Sequence, residues 1–323
     1  MTLDQLRIFA AVAEREHITR AADALDMTQS SVSVAISTLE REFGAKFFHR
    51  LGRGIVLTEG GKLFLNEARA ILARAETAAL VMGEFTGLAR GRLEIMASHT
   101  ITSHLLPARL ADFRRAYPGI QLAVSVGNSD QVKMAILNGT IELGFAEGPI
   151  NDIEDPALAA EAVADDPLVV IAPIGHRWSK LRRFSAKELA SEYWVVREDG
   201  SGTRAGFFKV LETIGVPRID VQIALELPSN HAVLEAVIAG AGPAILSERV
   251  CAAACSSGQV AKIPIQLLSR KFFAIQHMDR FRSRAVTAFL EILRAHAKAD
   301  PRSEQGPCSL PPVATGKESV PAR

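Results

Sequence analysis

Cysteine is scarce: three residues in 323 are too few to staple a fold. Cys251 and Cys255 stand four apart in an alanine-rich stretch that reads as helix, and Cys308 lies in the C-terminal tail. No further His or Cys follows nearby to complete a metal site, so the pair is expected to be small packing residues. Long hydrophobic runs are missing too: none approaches the ~20 residues a membrane helix needs. The opening MTLDQLRIFAAVAERE lacks the basic start, apolar middle and small-residue cleavage site of a leader, so a cytoplasmic protein is expected. Also absent are H-E-x-x-H, a Walker lysine after a glycine-rich loop, and G-x-S-x-G spacing. Ser201 is the suspect nucleophile, but Asp199-Gly200-Ser201-Gly202-Thr203 does not have the elbow pattern, so no enzyme and no cofactor are expected. Net charge is close to nil, at +1. Residues 1–60 hold seven bases and eight acids, which in bulk argues weakly against nucleic-acid binding. Distribution matters more than the sum: Arg41, Lys46, Arg50 and Arg53 face only Glu42 within their stretch.

What is present begins with residues 19–43, TRAADALDMTQSSVSVAISTLEREF. Ala21, Ala22 and Leu25 make one short apolar face, and Asp26-Met27 breaks it. Thr28 is a good N-cap, because its hydroxyl can take a free amide at the next helix start. From there Val32, Ile36, Leu39 and Phe43 recur at helical spacing and predict one buried face. The opposite face carries the short polar groups Gln29, Ser30, Ser33 and Ser37. Two helices that cross closely over small residues, the second with a polar face, form a helix-turn-helix, whose second helix enters a major groove by its N-terminal end.

An opening helix over 3–15, with Leu3, Leu6, Phe9, Ala10 and Ala13 inward, precedes this pair. After it, GAKFFHRLGRGIVLTEGG predicts a small hairpin anchored by Phe47 and Phe48, displaying Arg50 and Arg53 as a wing beside the second helix. Thr58 then caps a long helix from 59 to about 88. Leu65, Ala68, Leu72, Ala75, Ala79 and Met82 fall on it at alternating spacings of three and four, which predicts a dimerising seam. GLARG, 87–91, is a hinge candidate.

From residue 91 strand-like runs alternate with helices, first LEIMAS, IQLAVSVG and IELGFAEG, then, after Asp165-Asp166-Pro167, LVVIAP, YWVVRE, VQIALE and AILS. That alternation predicts parallel sheets covered by helices, in two α/β subdomains joined by crossovers near 164–167 and 264–270. A ligand in such folds sits at the strands' carboxyl ends, between the lobes. Two hydroxyl-bearing helix starts suit this place. Ser98, Thr100 and Thr102 open a helix after the first strand. Ser201, Gly202 and Thr203, followed by Arg204, open one in the second lobe. Amides and hydroxyls at such starts can clamp a small anion. His99 and His104 are expected to cap or pack. The tail from about Asp300, rich in Pro, Ser and Gly, is expected to be disordered.

These pieces together resemble the LysR-type transcriptional regulators, over residues 1 to about 297. The resemblance rests on Leu6 and Phe9, Ala21-Ala22 with Leu25, Thr28-Gln29-Ser30-Ser31-Val32-Ser33, Ile36, Leu39-Glu40, Phe43-Gly44, Phe47-Phe48, Arg50, Leu57-Thr58 and Gly61. It implies a winged helix-turn-helix over 1–58 and a linker helix with hinge over 59–90. It further implies a two-lobed α/β effector domain like periplasmic binding proteins, with subdomain I at 91–164 plus 267–299 and subdomain II at 165–266, and a tail at 300–323. Its implied partners are double-stranded promoter DNA, a small-molecule effector, copies of itself as a dimer of dimers, and RNA polymerase, with no membrane. The DNA-contact positions Thr28, Gln29, Ser30, Ser33 and Arg53 carry over. Members often have proline and arginine where this chain has Ser30 and Val34. To the effector contacts the resemblance adds Asn128, in the turn Gly127-Asn128-Ser129, then Glu147 and Pro228-Ser229-Asn230. The form R-x-D-G-S-G-T-R from Arg197 looks most like the branch sensing sulphur or carbon-assimilation metabolites, which favours an anion or carboxylate. Glu147 would repel an anion unless paired, and is expected to meet a donor group on the ligand instead.

Overall fold

The computed structural model describes residues 1–51, 54–84, 91–148, 155–181, 184–265, 267 and 269–299. The chain opens with three helices, α1 (Leu3–Arg15), α2 (Ile18–Ala24) and α3 (Gln29–Phe43). Each start has a local chemical reason. Thr2 and Gln5 form a reciprocal capping box at α1, and His17 caps α2. The Thr28 hydroxyl takes the Ser31 amide at the head of α3, which ends at left-handed Gly44. A hairpin of β1 (Phe48–Leu51) and β2 (Gly54–Leu57) follows, then α4 (Glu59–Glu84).

Phe9, Val12, Ala21, Ala22, Val32, Leu39 and Phe47 are buried in one core. Leu3 is 41% exposed and stands outside it. The Phe47 ring stacks on Phe64 at 4.5 Å, with Phe9 edge-on to both. This approach needs Gly61, since a Cβ there would lie 2.2 Å from the Phe47 carbonyl oxygen. The expected seam of α4 is therefore corrected at its start. Leu65 and Ala68 are buried in this core and Leu72 packs against it, so the first turns serve their own domain. A stripe of apolar residues at helical spacing suits either use, and α1 supplies the nearer surface. Ala75 is half-buried, and the side chains of Ala79 and Met82 fall outside the described residues, as do most of the expected hinge and the tail from Asp300 onward.

The first lobe runs β3 (Gly91–Ala97), α5 (His99–His104), α6 (Leu106–Ala116), β4 (Ile120–Val126), α7 (Ser129–Leu137), β5 (Leu143–Gly148) and β6 (Leu158–Asp166). The second runs β7 (Leu168–Pro173), α8 (Ala186–Ala190), β8 (Tyr193–Arg197), α9 (Gly202–Ile214), β9 (Gln222–Leu227), α10 (Asn230–Ile238), β10 (Ala244–Ser247), α11 (Glu248–Ser256) and β11 (Val260–Ile263). The chain then returns through β12 (Arg270–His277) and α12 (Arg284–Ala299). Lobe one holds a sheet of order β4-β3-β5-β12-β6. Lobe two holds β10-β7-β11 and the parallel pair β8-β9, joined by a bond from the Val195 N–H to the Pro243 carbonyl at 2.9 Å.

The sheets are mixed where parallel ones were expected. β3, β4 and β5 are parallel, but β12 is antiparallel to β5 and β6. The reason is topological: β6 leaves for the second lobe and β12 comes back from it, so adjacent strands at the crossover run opposite ways. β6 is a strand that the sequence pattern does not predict. Its sequence, LAAEAVADD, is alanine-rich and poor in β-formers, and pairing with β12 over eight positions makes it a strand.

Candidate functional site

Two polar surfaces stand out, one on α3 and one between the lobes. On α3, Gln29 in the first turn and Ser30 are exposed and Ser33 is half-buried, while Val32, Ile36 and Leu39 are buried. The Thr28 hydroxyl is occupied locally: it shares hydrogen bonds with the Ser30 and Ser31 hydroxyls at 2.9 and 2.8 Å while capping the helix. Gln29 and Ser33 have no such local tie in the described structure, so they are the freer groups. Buried Glu40 ties the back of α3 to the hairpin by accepting the Phe47 amide at 3.0 Å and pairing with Lys46. Arg50 is exposed on β1 opposite Ile55. Arg53 lies outside the described residues.

Between the lobes, one connected polar network crosses the cleft. Thr100 of lobe one donates to Glu147 Oε1 at 3.2 Å and accepts from Asn230 Nδ2 of lobe two at 2.7 Å. Thr203 donates to the same Glu147 oxygen at 3.4 Å. Arg270 donates to Thr203 at 3.2 Å and to Asp166 at 2.7 Å, and its Nη2 stands 3.7 Å from Glu147. Arg197 donates to Asn230 Oδ1 at 2.7 Å and grips Glu198 with two further nitrogens. Every one of these side chains except Glu198 is buried. Glu147 Oε2 and Arg270 Nη2 have no hydrogen-bond partner among the described residues.

Three of the expected contacts are helix caps: Ser98 for α5, Asn128 for α7 and Ser201 for α9. Thr102 donates to its own turn, at the Ala97 carbonyl. Pro228 is exposed in the connection between β9 and α10. Arg204 turns to Glu226 and the Arg197 carbonyl. The lobes also meet through main chain, with the Asp130 N–H on the Gly200 carbonyl at 3.2 Å and Asn128 Nδ2 on the Asp199 carbonyl at 3.2 Å. Gly202 is the closest approach: a Cβ there would lie 1.8 Å from the Glu147 carbonyl oxygen. Gly202→Ala is expected to wedge this contact and cost about 1–3 kcal/mol, the usual range for overpacking. The check is a lower urea midpoint with unchanged slope.

Charge is balanced tightly here. Burial pushes the Asp166 carboxyl above the usual carboxylate range, helped by Glu147 and opposed by Arg270 and the Ser247 hydroxyl. Burial and Arg197 hold His99 below its usual value. Burial also lowers His104, with Arg249 acting the same way against Asp166. The network is flanked by a cavity of about 600 Å³ against α7 and α9 and one of about 310 Å³ between α5 and α10. Among the described residues no group of three His, Cys, Asp or Glu could hold a metal. Arg270 and Asp166 are a buried ion pair of the site, and the sequence pattern gives neither a role. Arg197 and Asn230 entered it only as members of motifs.

An exposed helix with an uncharged N-terminal half on one domain and a polar cleft between two α/β lobes on the other define a DNA-binding regulator with a sensor domain. Residues 3–62 match the family model for the bacterial regulatory helix-turn-helix proteins of the lysR family, and residues 86–298 match the LysR substrate binding domain. The chain belongs to the LysR family of transcriptional regulators. It is 34% identical over 295 residues to the HTH-type transcriptional regulator YeiE of Escherichia coli strain K12, covering 90% of this chain and 96% of that protein. It is 31% identical over 300 residues to the HTH-type transcriptional activator CmpR of Synechocystis, covering 92% and 96%. Among solved structures it shares its fold with CbnR bound to target DNA, at TM-score 0.66 and 22% identity over 91% of this chain and 99% of that one. The CcmR regulatory domain of Synechocystis PCC6803, in complex with 2-PG, matches at TM-score 0.58 and 26% identity over 65% and 98%. These relatives are regulators, and the chain is not an enzyme.

Proposed function

We infer that this regulator's hold on promoter DNA is set by a small anion bound between the two lobes. The observation that carries this reading is convergence: the Thr100 and Thr203 hydroxyls, one per lobe, and the Arg270 guanidinium aim at a single buried point, now taken by Glu147 Oε1. An anion bridging such donors favours the closed lobes, and it can shift the equilibrium only by its affinity difference between closed and open forms. The CcmR domain in complex with 2-PG supports an acidic metabolite. The proposed division is a DNA-reading domain over 1–58, a linker helix to 90, and lobes at 91–164 plus 267–299 and 165–266.

Assembly as a dimer of dimers in the cytoplasm, with RNA polymerase as a further partner, belongs to the same proposal. Exposed Val124 and Val126 on edge strand β4, with Ile223 and Leu225 on edge strand β9, support self-association. The test is a DNase I footprint on the DNA upstream of the protein's own coding region, titrated with inorganic phosphate, sulfate and small carboxylates. A footprint that changes length or register with one of them is the expected result, and an unchanged footprint at saturation overturns the reading. In the same assay Gln29→Ala is expected to lose about 1–3 kcal/mol of discrimination at one base pair, since its amide can pair with both edge groups of an adenine. Equal loss on random DNA would place Gln29 on the phosphates instead.

A further inference from the structure

A valine stands on the outer ridge of α3, away from the core. Val32, Ile36 and Leu39 are at most 7% exposed and define the buried face. At 3.6 residues per turn, Val34 falls diametrically opposite them, with Ser30 four residues before, Ser37 three after and Arg41 seven after along the same ridge. Val34 is 64% exposed, and no residue from Gln29 to Leu39 carries a charge. The hydroxyl of Ser30 is engaged with Thr28, at 2.9 Å. The centre of the reading face is thus two methyl groups in a polar surround.

We propose that Val34 is a specificity residue that selects thymine by contact with its 5-methyl group. In the major groove each base pair shows its own pattern of donors and acceptors, and thymine alone adds a methyl. A valine offers no donor or acceptor. Set against a guanine edge it strips water from N7 and O6 and returns nothing, and against a cytosine it does the same to the N4 amino group. Only at thymine does it meet a matching apolar surface. The recognition helix thereby gains selectivity from exclusion as much as from attraction.

The experiment uses the full-length protein and a randomised duplex pool. Bound sequences are selected and read, and each thymine of the enriched half-site is then replaced by deoxyuridine, which removes only the methyl. At one thymine per half-site this change is expected to weaken wild-type binding by about fourfold, the contribution of one buried methyl. Val34→Ser and Val34→Ala are expected to keep the wild-type circular dichroism, because the side chain is exposed, and to bind the thymine and deoxyuridine duplexes alike. Val34→Arg is expected to move the preference at that position to guanine. The proposal is overturned if deoxyuridine is tolerated at every position, if no thymine is enriched, or if Val34→Ser keeps the methyl discrimination.

Discussion

Glu147→Gln is expected to raise the affinity of the cleft for a small oxyanion at least tenfold, measured by calorimetric titration of the full-length protein with inorganic phosphate. Glu147 is a carboxylate tethered inside the clamp. It is 2% exposed, and its Oε1 takes the hydroxyls of Thr100 and Thr203, with Arg270 Nη2 3.7 Å away. An incoming anion needs those same donors, and it meets a like charge while it competes for them. Like-charge juxtaposition in a desolvated site costs several kcal/mol, and 1.4 kcal/mol is a factor of ten. Glutamine keeps the shape and removes the charge. Asp166 still holds Arg270 in place in the variant, so the cation is not set free to collapse elsewhere. Weaker phosphate binding by Glu147→Gln would show that Glu147 instead accepts a hydrogen from the ligand, and the effector would then carry a donor group at that end.

What sequence reading reached here is what local chemistry decides. The boundaries of α3 follow from Thr28 and from apolar spacing, and the caps Ser98, Asn128 and Ser201 sit where serine or asparagine precedes a helix. Two of the site's hydroxyls, Thr100 and Thr203, were legible for the same reason, as residues of helix first turns. The rest depends on partners far apart in the chain. Asn230 meets Thr100 across 130 residues, and Arg270 meets Asp166 across 104. No periodicity marks such pairs, and an arginine at a strand start reads as surface until the fold buries it. The apolar stripe of α4 misled in the opposite way: Leu65 and Ala68 carry the right spacing for a partner helix, yet α1 of the same chain takes them. Spacing states that a face is buried, and leaves open against what.

Arg270→Ala is expected to destabilise the sensor half by about 3–5 kcal/mol, the usual consequence of removing one partner of a buried ion pair. Asp166 is fully buried and Arg270 nearly so, and they join the end of the strand that leaves lobe one to the start of the strand that returns. The loss should arise mainly from the buried Asp166 carboxylate, left with the Ser247 hydroxyl and with Arg249 Nε 3.8 Å away. Asp166→Asn in the Arg270→Ala background is therefore expected to recover part of it, so that urea unfolding of the two single variants and the double shows strong coupling. The pH dependence has a definite sign. Burial already raises the Asp166 carboxyl in the folded state above its unfolded value. Between those two values the folded form binds the extra proton, so this group's contribution to stability falls as pH rises through that window. Without Arg270 the window extends to higher pH. The deficit of Arg270→Ala should accordingly shrink on going from neutral to mildly acidic solution, while Asp166→Asn should show no such recovery. If the deficit stays constant on acidification, the penalty comes from lost packing of the arginine stem and from Thr203, neither of which titrates, and not from the buried carboxylate.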